Sequence, residues 1–147
     1  MPKIPVGFID IRVFAHATED VDKVLNAVRN ILPLELTDLI TFRKSILTGH
    51  HGNPIVLLEA RIKEKSAAQR VFEKLCSGMS ILDKELLGNE ILQHLDKGNL
   101  YIRLDKQSAC LNELKLSPAD PIHFRIHFKK HNPKEIMDIC RKSGLLP

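Results

Sequence analysis

Ile122-His123-Phe124-Arg125-Ile126-His127-Phe128-Lys129 alternates apolar and polar side chains without a break. A strand has a side-chain period of two, so Ile122, Phe124, Ile126 and Phe128 share one face. His123, Arg125, His127 and Lys129 share the other. Such alternation marks a strand with one face in a core and one face in water, an arrangement that antiparallel sheets allow. Tyr101-Ile102-Arg103-Leu104-Asp105-Lys106-Gln107 repeats it, with Tyr101, Arg103 and Asp105 opposing Ile102 and Leu104, and then enters a charged turn. Two strands with cationic outer faces predict a sheet whose open side suits a polyanion.

Further from these strands, Val6 to Ala15 reads as a third, with Ile9, Ile11, Val13 and Ala15 opposing Phe8, Asp10, Arg12, Phe14 and, beyond it, His16. Thr18 reads as the N-cap of a helix with Glu19 and Asp20 in its first turn. Val21, Val24, Leu25, Val28, Ile31 and Leu32 form that helix's apolar face, and Pro33 ends it. Leu39 to Thr48 and Ile55 to Lys63 read as strands joined by the hairpin Gly49-His50-His51-Gly52-Asn53-Pro54. Ser66 and Gln69 have capping-box spacing ahead of a helix bearing Val71, Phe72 and Leu75, which Gly78 ends. Ser80 to Leu95 continues as a helix broken near Gly88-Asn89, and Lys97-Gly98-Asn99 turns into the Tyr101 strand. After the connection Ser117-Pro118-Ala119-Asp120-Pro121 comes the strand Ile122 to Lys130. Asn132, Pro133 and Glu135 then open a last helix that Gly144 closes. The order β-α-β-β-α-(α)-β-β-α predicts an α+β fold, a mostly antiparallel sheet with helices on one face. Residues 1–147 are expected to form one domain.

The 147 residues carry 22 Lys and Arg, 18 Asp and Glu, a net charge of +4 and a pI near 9.0. So mild a surplus says less than its placement. No run of 18 apolar residues suggests a membrane span, and Met1-Pro2-Lys3-Ile4-Pro5 lacks the apolar core of a signal peptide. Cys76, Cys110 and Cys140 have neither disulfide-framework nor zinc-knuckle spacing. Cys76 and Cys140 sit among apolar neighbours in predicted helices, so buried, reduced thiols and a cytoplasmic location are expected.

The predicted open face collects Arg12 and His16, then Glu59, Arg61 and Lys63, then Tyr101, Arg103 and Asp105, then His123, Arg125, His127 and Lys129. Either Arg43 or Lys44 joins them from the second strand. Arginine and lysine suit phosphates, and Tyr101, Phe8 or Phe14 could stack on unpaired bases. An open sheet face is polar in any case; the shortage of carboxylates is what favours binding. A P-loop, a GXXG clamp and a nucleotide-binding glycine fingerprint are all missing. His16 with Glu19 and Asp20 suggests a small hydrolase site, against which stands simple helix capping. His50-His51 reads as a loop tip rather than a metal site, and His123 and His127 lie about 13 Å apart, too far to share an ion. No catalytic residue, metal or cofactor is expected.

Three segments, His16-Ala17-Thr18-Glu19-Asp20, Gly52-Asn53-Pro54-Ile55 and Arg103-Leu104-Asp105-Lys106-Gln107-Ser108-Ala109, resemble the small archaeal proteins described as predicted exosome-associated, RNA-binding proteins. Cys110-Leu111-Asn112 stands where that family often has a glycine turn. The resemblance implies a fold similar to that of the ribosomal protein that binds 5S RNA. It also implies RNA as partner, alongside exosome or ribosome-assembly proteins. With the open face, it singles out Tyr101, Arg103, Lys106, Gln107, Arg125, His127, Lys129, Arg12, His16, Asn53 and His51 as RNA-binding candidates. The competing reading is a protein–protein adaptor, or a homodimer, docking through Phe8, Phe14 and Leu57 on the same face.

Overall fold

The computed structural model describes residues 6–49, 52–129 and 132–147. Six strands form one antiparallel sheet: β1 (Val6–Ala15), β2 (Arg43–Thr48), β3 (Pro54–Ile62), β4 (Leu95–Asp96), β5 (Asn99–Leu104) and β6 (Ile122–Phe128). Their spatial order is β2-β3-β1-β6-β5-β4. The expected α+β architecture is what the chain adopts. Alternation sets the register, because a slip of one residue would turn Ile9, Ile11 and Val13 out of the core. All three are 0–1% exposed, as are Ile122, Phe124, Ile126 and Phe128. β1 departs from strict alternation at its start, where the register shifts between Val6 and Phe8. A Cβ on Gly7 there would stand 3.2 Å from the His127 ring, so glycine suits that close approach.

The helices are α1 (Val21–Asn30), α2 (Lys65–Gly78), α3 (Ile81–Asn89), α4 (Lys106–Cys110) and α5 (Pro133–Ser143). Their caps correct two expectations. Asp20, not Thr18, caps α1 by accepting from the Asp22 N–H at 2.9 Å. Glu64 caps α2 by accepting from the N–H groups of Ser66 and Ala67, so Ser66 is a first-turn residue rather than the cap. Strand β2 begins at Arg43, not Leu39, after a 3-10 turn at Leu34–Leu36. The segment expected to continue α3 becomes a second 3-10 turn (Ile91–His94) and the two-residue strand β4. Asn132 and Pro133 open α5 as expected.

Gly144 ends α5 at φ 87°, the left-handed conformation that lets its N–H reach back to the Arg141 carbonyl. Gly144→Ala is therefore expected to lose about 1 kcal/mol in urea unfolding, from the side-chain clash at positive φ alone.

The helix layer covers one sheet face. Phe72 of α2, fully buried, meets the Phe128 ring edge-on at 5.6 Å between centroids and 88° between planes. Cys76 and Cys140 are buried between helices, as expected, and Cys110 is exposed. Burial raises the Cys76 thiol to about 12, reinforced by neighbouring Cys140, and burial also raises Cys140 to about 12. Neither is a thiolate at neutral pH. Among the described residues, no helix is long and apolar enough to cross a membrane.

Candidate nucleic-acid interface

Register organises the open face into rows across the strands. One row runs Arg43, Glu59, Arg12, His123, Arg103 over β2, β3, β1, β6 and β5. The next runs Arg61, Asp10, Arg125, Tyr101 over β3, β1, β6 and β5. A third holds Phe8, His127, Asn99 and Asp96. The pairing settles the second strand: Arg43 stands opposite Glu59 on this face, and Lys44 opposite Leu58 on the other.

The first two rows contain five arginines (Arg12, Arg43, Arg61, Arg103, Arg125) and two carboxylates (Asp10, Glu59). Asp10 takes a two-pronged contact from Arg61, Nε to Oδ1 at 2.7 Å and Nη2 to Oδ2 at 3.0 Å, and a third from Arg125 Nη2 at 3.3 Å. The Asp10 hydrogen bonds raise the Arg61 pKa further. Glu59 meets Arg43 at 3.2 Å and Arg12, loosely, at 3.9 Å. Exposed pairs of this kind contribute about 0–1 kcal/mol each, so they order the guanidiniums more than they stabilise the fold.

The aromatic rings divide into used and available. Phe8 is sandwiched between the His127 imidazole (4.6 Å, 17°) on the β6 side and the Arg61 guanidinium (4.5 Å) on the β3 side. Tyr101 stacks on His123 at 5.5 Å and 22°. Burial lowers the His123 pKa, and the charges of Arg103, Arg12 and Arg125 lower it further, so its ring is neutral at pH 7. Leu57 is buried, at 9% exposure, and Phe14 is half-buried with Arg12 near its ring.

A second cluster gathers residues from distant parts of the chain. Lys106, the first residue of α4, is only 6% exposed. Its ammonium donates to the Phe14 carbonyl at 2.7 Å, to Asp120 Oδ2 at 2.8 Å and to both Glu19 oxygens at 3.1 and 3.2 Å. Its three N–H groups are thereby engaged. His16 lies past the end of β1, off the sheet face, and its Nε2 meets Asp120 Oδ1 at 3.0 Å. The His16 N–H donates to Glu19 Oε1 at 3.0 Å. Burial acts to raise the Asp120 carboxyl, but hydrogen bonds from Lys106 and His16 outweigh it and hold the group below its usual value. Asp105 leaves the face too. It caps α4 through the Ser108 hydroxyl (2.7 Å) and N–H (2.9 Å), which lower its pKa.

Ligand atoms of His16, Glu19 and Asp120 lie within 4.8 Å of one another, a spacing that would suit a metal ion. The Lys106 ammonium bonds to both carboxylates and so already supplies the cation of that cluster. Among the described residues, no hydroxyl or thiol hydrogen-bonds to the His16 ring, and Asp20 is committed to capping α1.

The open face thus brings Arg12, Tyr101, Arg103, Arg125 and His127 together, with exposed Lys129 just past the end of β6. Gln107 lies beside Lys106 on α4, lining a cleft of about 340 Å³ against Thr18, Asp20 and Lys23. Asn53 is exposed in the β2–β3 hairpin. His50, His51 and Lys130 lie outside the described residues. One participant, Asp120, had no legible signal. Asp120 sits in a Pro-rich connection, at φ 45°, with nothing to announce partners 14 and 104 residues away. Asp10 and Glu59 were visible as open-face acids, but not as the hubs of arginine pairs.

An open antiparallel sheet with arginine rows is one way in which proteins present unpaired nucleic acid to stacking rings. The chain belongs to the family whose model is described as RNA binding, matched over residues 8–128. It is similar to the RNA-binding protein PAB1135 of Pyrococcus abyssi, 38% identical over 130 residues, covering 86% of this chain and 84% of that one. Two solved structures share the fold. Mth689 of Methanothermobacter thermautotrophicus, a DUF54 protein, superposes with a TM-score of 0.75 at 27% identity, covering 97% of this chain and 98% of that one. SSO0741 of Sulfolobus solfataricus gives 0.77 at 27% identity, covering 92% and 96%.

Proposed function

We propose that this protein binds RNA without catalysing a reaction, and that the open sheet face is the contact surface. The observation that carries the reading is the excess of arginines over carboxylates in the two central rows. Family membership and the name of the Pyrococcus relative support it. Arg12, Arg103 and Arg125 meet phosphates, with Tyr101 as the stacking ring. His127, Lys129 and Asn53 extend the contact at the margins, and Gln107 adds a hydrogen-bonding amide. His16 and Lys106 serve by holding the α4 turn in place, since the Lys106 donors are spent internally. The protein works in the cytoplasm beside exosome or ribosome-assembly proteins, with a fold akin to that of the ribosomal 5S-RNA-binding protein. The adaptor reading has less behind it: Leu57 is buried and Phe8 is covered on both faces, so the face lacks an apolar centre.

Counterion release makes the reading testable. With four phosphate contacts, the affinity for a labelled unpaired RNA should fall with a logarithmic salt slope of about −3, or about 50-fold between 50 and 200 mM salt. Fluorescence anisotropy over that range measures it. Binding indifferent to salt, or undetectable at 50 mM, would sink the proposal.

A further inference from the structure

We propose that one nucleotide of a single-stranded RNA is held at the β5–β6 end of the open face, its phosphate among Arg12, Arg103 and Arg125 and its base on Tyr101. This rests on the RNA-binding reading and gives it a site and a strandedness.

The five arginines are not equally available. Arg61 is committed twice, to both Asp10 oxygens and to the Phe8 ring. Arg43 is paired with Glu59 at the far edge. Arg12 meets Glu59 only at 3.9 Å, beyond hydrogen-bond reach. Arg125 gives one Nη2 to Asp10 at 3.3 Å and stands 5.7 Å from the Phe8 ring, both longer than the Arg61 contacts, while its buried Nε has no hydrogen-bond partner among the described residues. An orphaned buried donor is costly, and a turned guanidinium that passed it to a phosphate oxygen would remove that cost. Arg103 is exposed and has no carboxylate within ion-pair distance among the described residues.

The three less committed arginines surround one residue. Arg12 stands directly opposite His123 on one side and Arg103 directly opposite on the other, while Arg125 lies two positions along the same strand. At about 4.8 Å between strands, side chains as long as arginine on both flanks are within reach of one anion-sized locus above the ring, once Arg12 and Arg125 turn from their loose contacts with Glu59 and Asp10. Burial is the main cause of the lowered His123 pKa, and the charges of Arg103, Arg12 and Arg125 add to it, in keeping with all three lying near its ring.

The aromatic rings select the strandedness. Phe8 has neither face free for a base, whereas among the described residues only the His123 ring stacks on Tyr101. A base inside a duplex has both faces stacked on its neighbours, so only an unpaired base can lie on Tyr101.

Anisotropy with a labelled ten-nucleotide unpaired RNA, and with the same sequence as a blunt duplex, tests this at 100 mM salt. Unpaired RNA should bind at least tenfold more tightly than duplex. Tyr101→Ala should weaken the unpaired RNA roughly tenfold, and Tyr101→Phe should restore it. Arg103→Ala should weaken it with little change in the salt slope, because Arg12 and Arg125 still neutralise the same phosphate. Lys44→Ala, on the opposite sheet face, should change nothing, and thermal melts confirm that each variant is folded. Unpaired RNA bound equally by wild type, Tyr101→Ala and Arg103→Ala would overturn the site while leaving RNA binding intact. A preference for duplex would overturn the strandedness. Failure of wild type to bind either probe would overturn the RNA-binding reading itself.

Discussion

Lys106→Met is expected to destabilise the protein by about 3 kcal/mol, lowering its melting temperature by about 6–12 °C. Methionine keeps the unbranched stem but removes the charge. Glu19, Asp120 and the Phe14 carbonyl would then lose the ammonium they share, leaving His16 alone to hydrogen-bond the two carboxylates. Breaking a fully buried ion pair costs about 3–5 kcal/mol; the lower figure applies because Asp120 is 45% exposed and can recruit water. The same change in a Glu19→Gln, Asp120→Asn background should cost less, since the stranded negative charges are gone. The pH dependence has a definite sign. Asp120 has a lowered pKa in the folded state, so its contribution is present above its unfolded value of about 3.9 and disappears as pH falls through the folded value. The penalty of Lys106→Met should therefore shrink on acidification. A penalty under 0.5 kcal/mol in urea unfolding at pH 7 would show that the cluster holds nothing together.

Phe72→Ala should be costlier still, about 3–5 kcal/mol. Phe72 is 0% exposed and joins the helix layer to the sheet through its edge contact with Phe128. Truncation removes the transfer free energy of the ring and leaves a cavity bounded by rigid strands that cannot collapse into it. Phe72→Leu, which fills much of that volume, should recover more than half of the loss. A double-mutant cycle with Phe128→Leu should return a coupling of about 0.5–1.5 kcal/mol for the ring pair. Equal stability of Phe72→Ala and wild type would mean that the layers are held together elsewhere.

Strands β1 and β6 were legible because each alternates over seven or more residues, long enough for a period of two to stand out. Helix α5 was legible because Asn132, Pro133 and Gly144 each have a stereochemical reason to be where they are. Helix α4 was not. Its five residues are too few to show a helical period, and they continue a run that alternates like a strand. Thr18 and Asp20 are both good caps, and local propensity does not choose between them. Lysine is almost never buried unless paired, and the partners of Lys106 lie 87 and 14 residues away in sequence. The three residue types were visible; their meeting was not. The open face fared better, because sheet parity follows from local pattern, although its carboxylate hubs depend on register between strands.

Strand β1 lies at the middle of the sheet, yet its two neighbours come from very different times in synthesis. It can pair with β3 once Ile62 has been made, but its other edge waits for β6, where Val6 finally meets Phe128. Until then the nascent chain displays a bare strand edge and one side of a core with no lid. Such an edge is a template for any other unfinished chain. Closure also brings together residues more than 100 positions apart, which makes it slow for a chain of this size. The stretch of translation between β3 and β6 is thus the hazardous interval for this domain, when a pause on the ribosome would favour aggregation over folding.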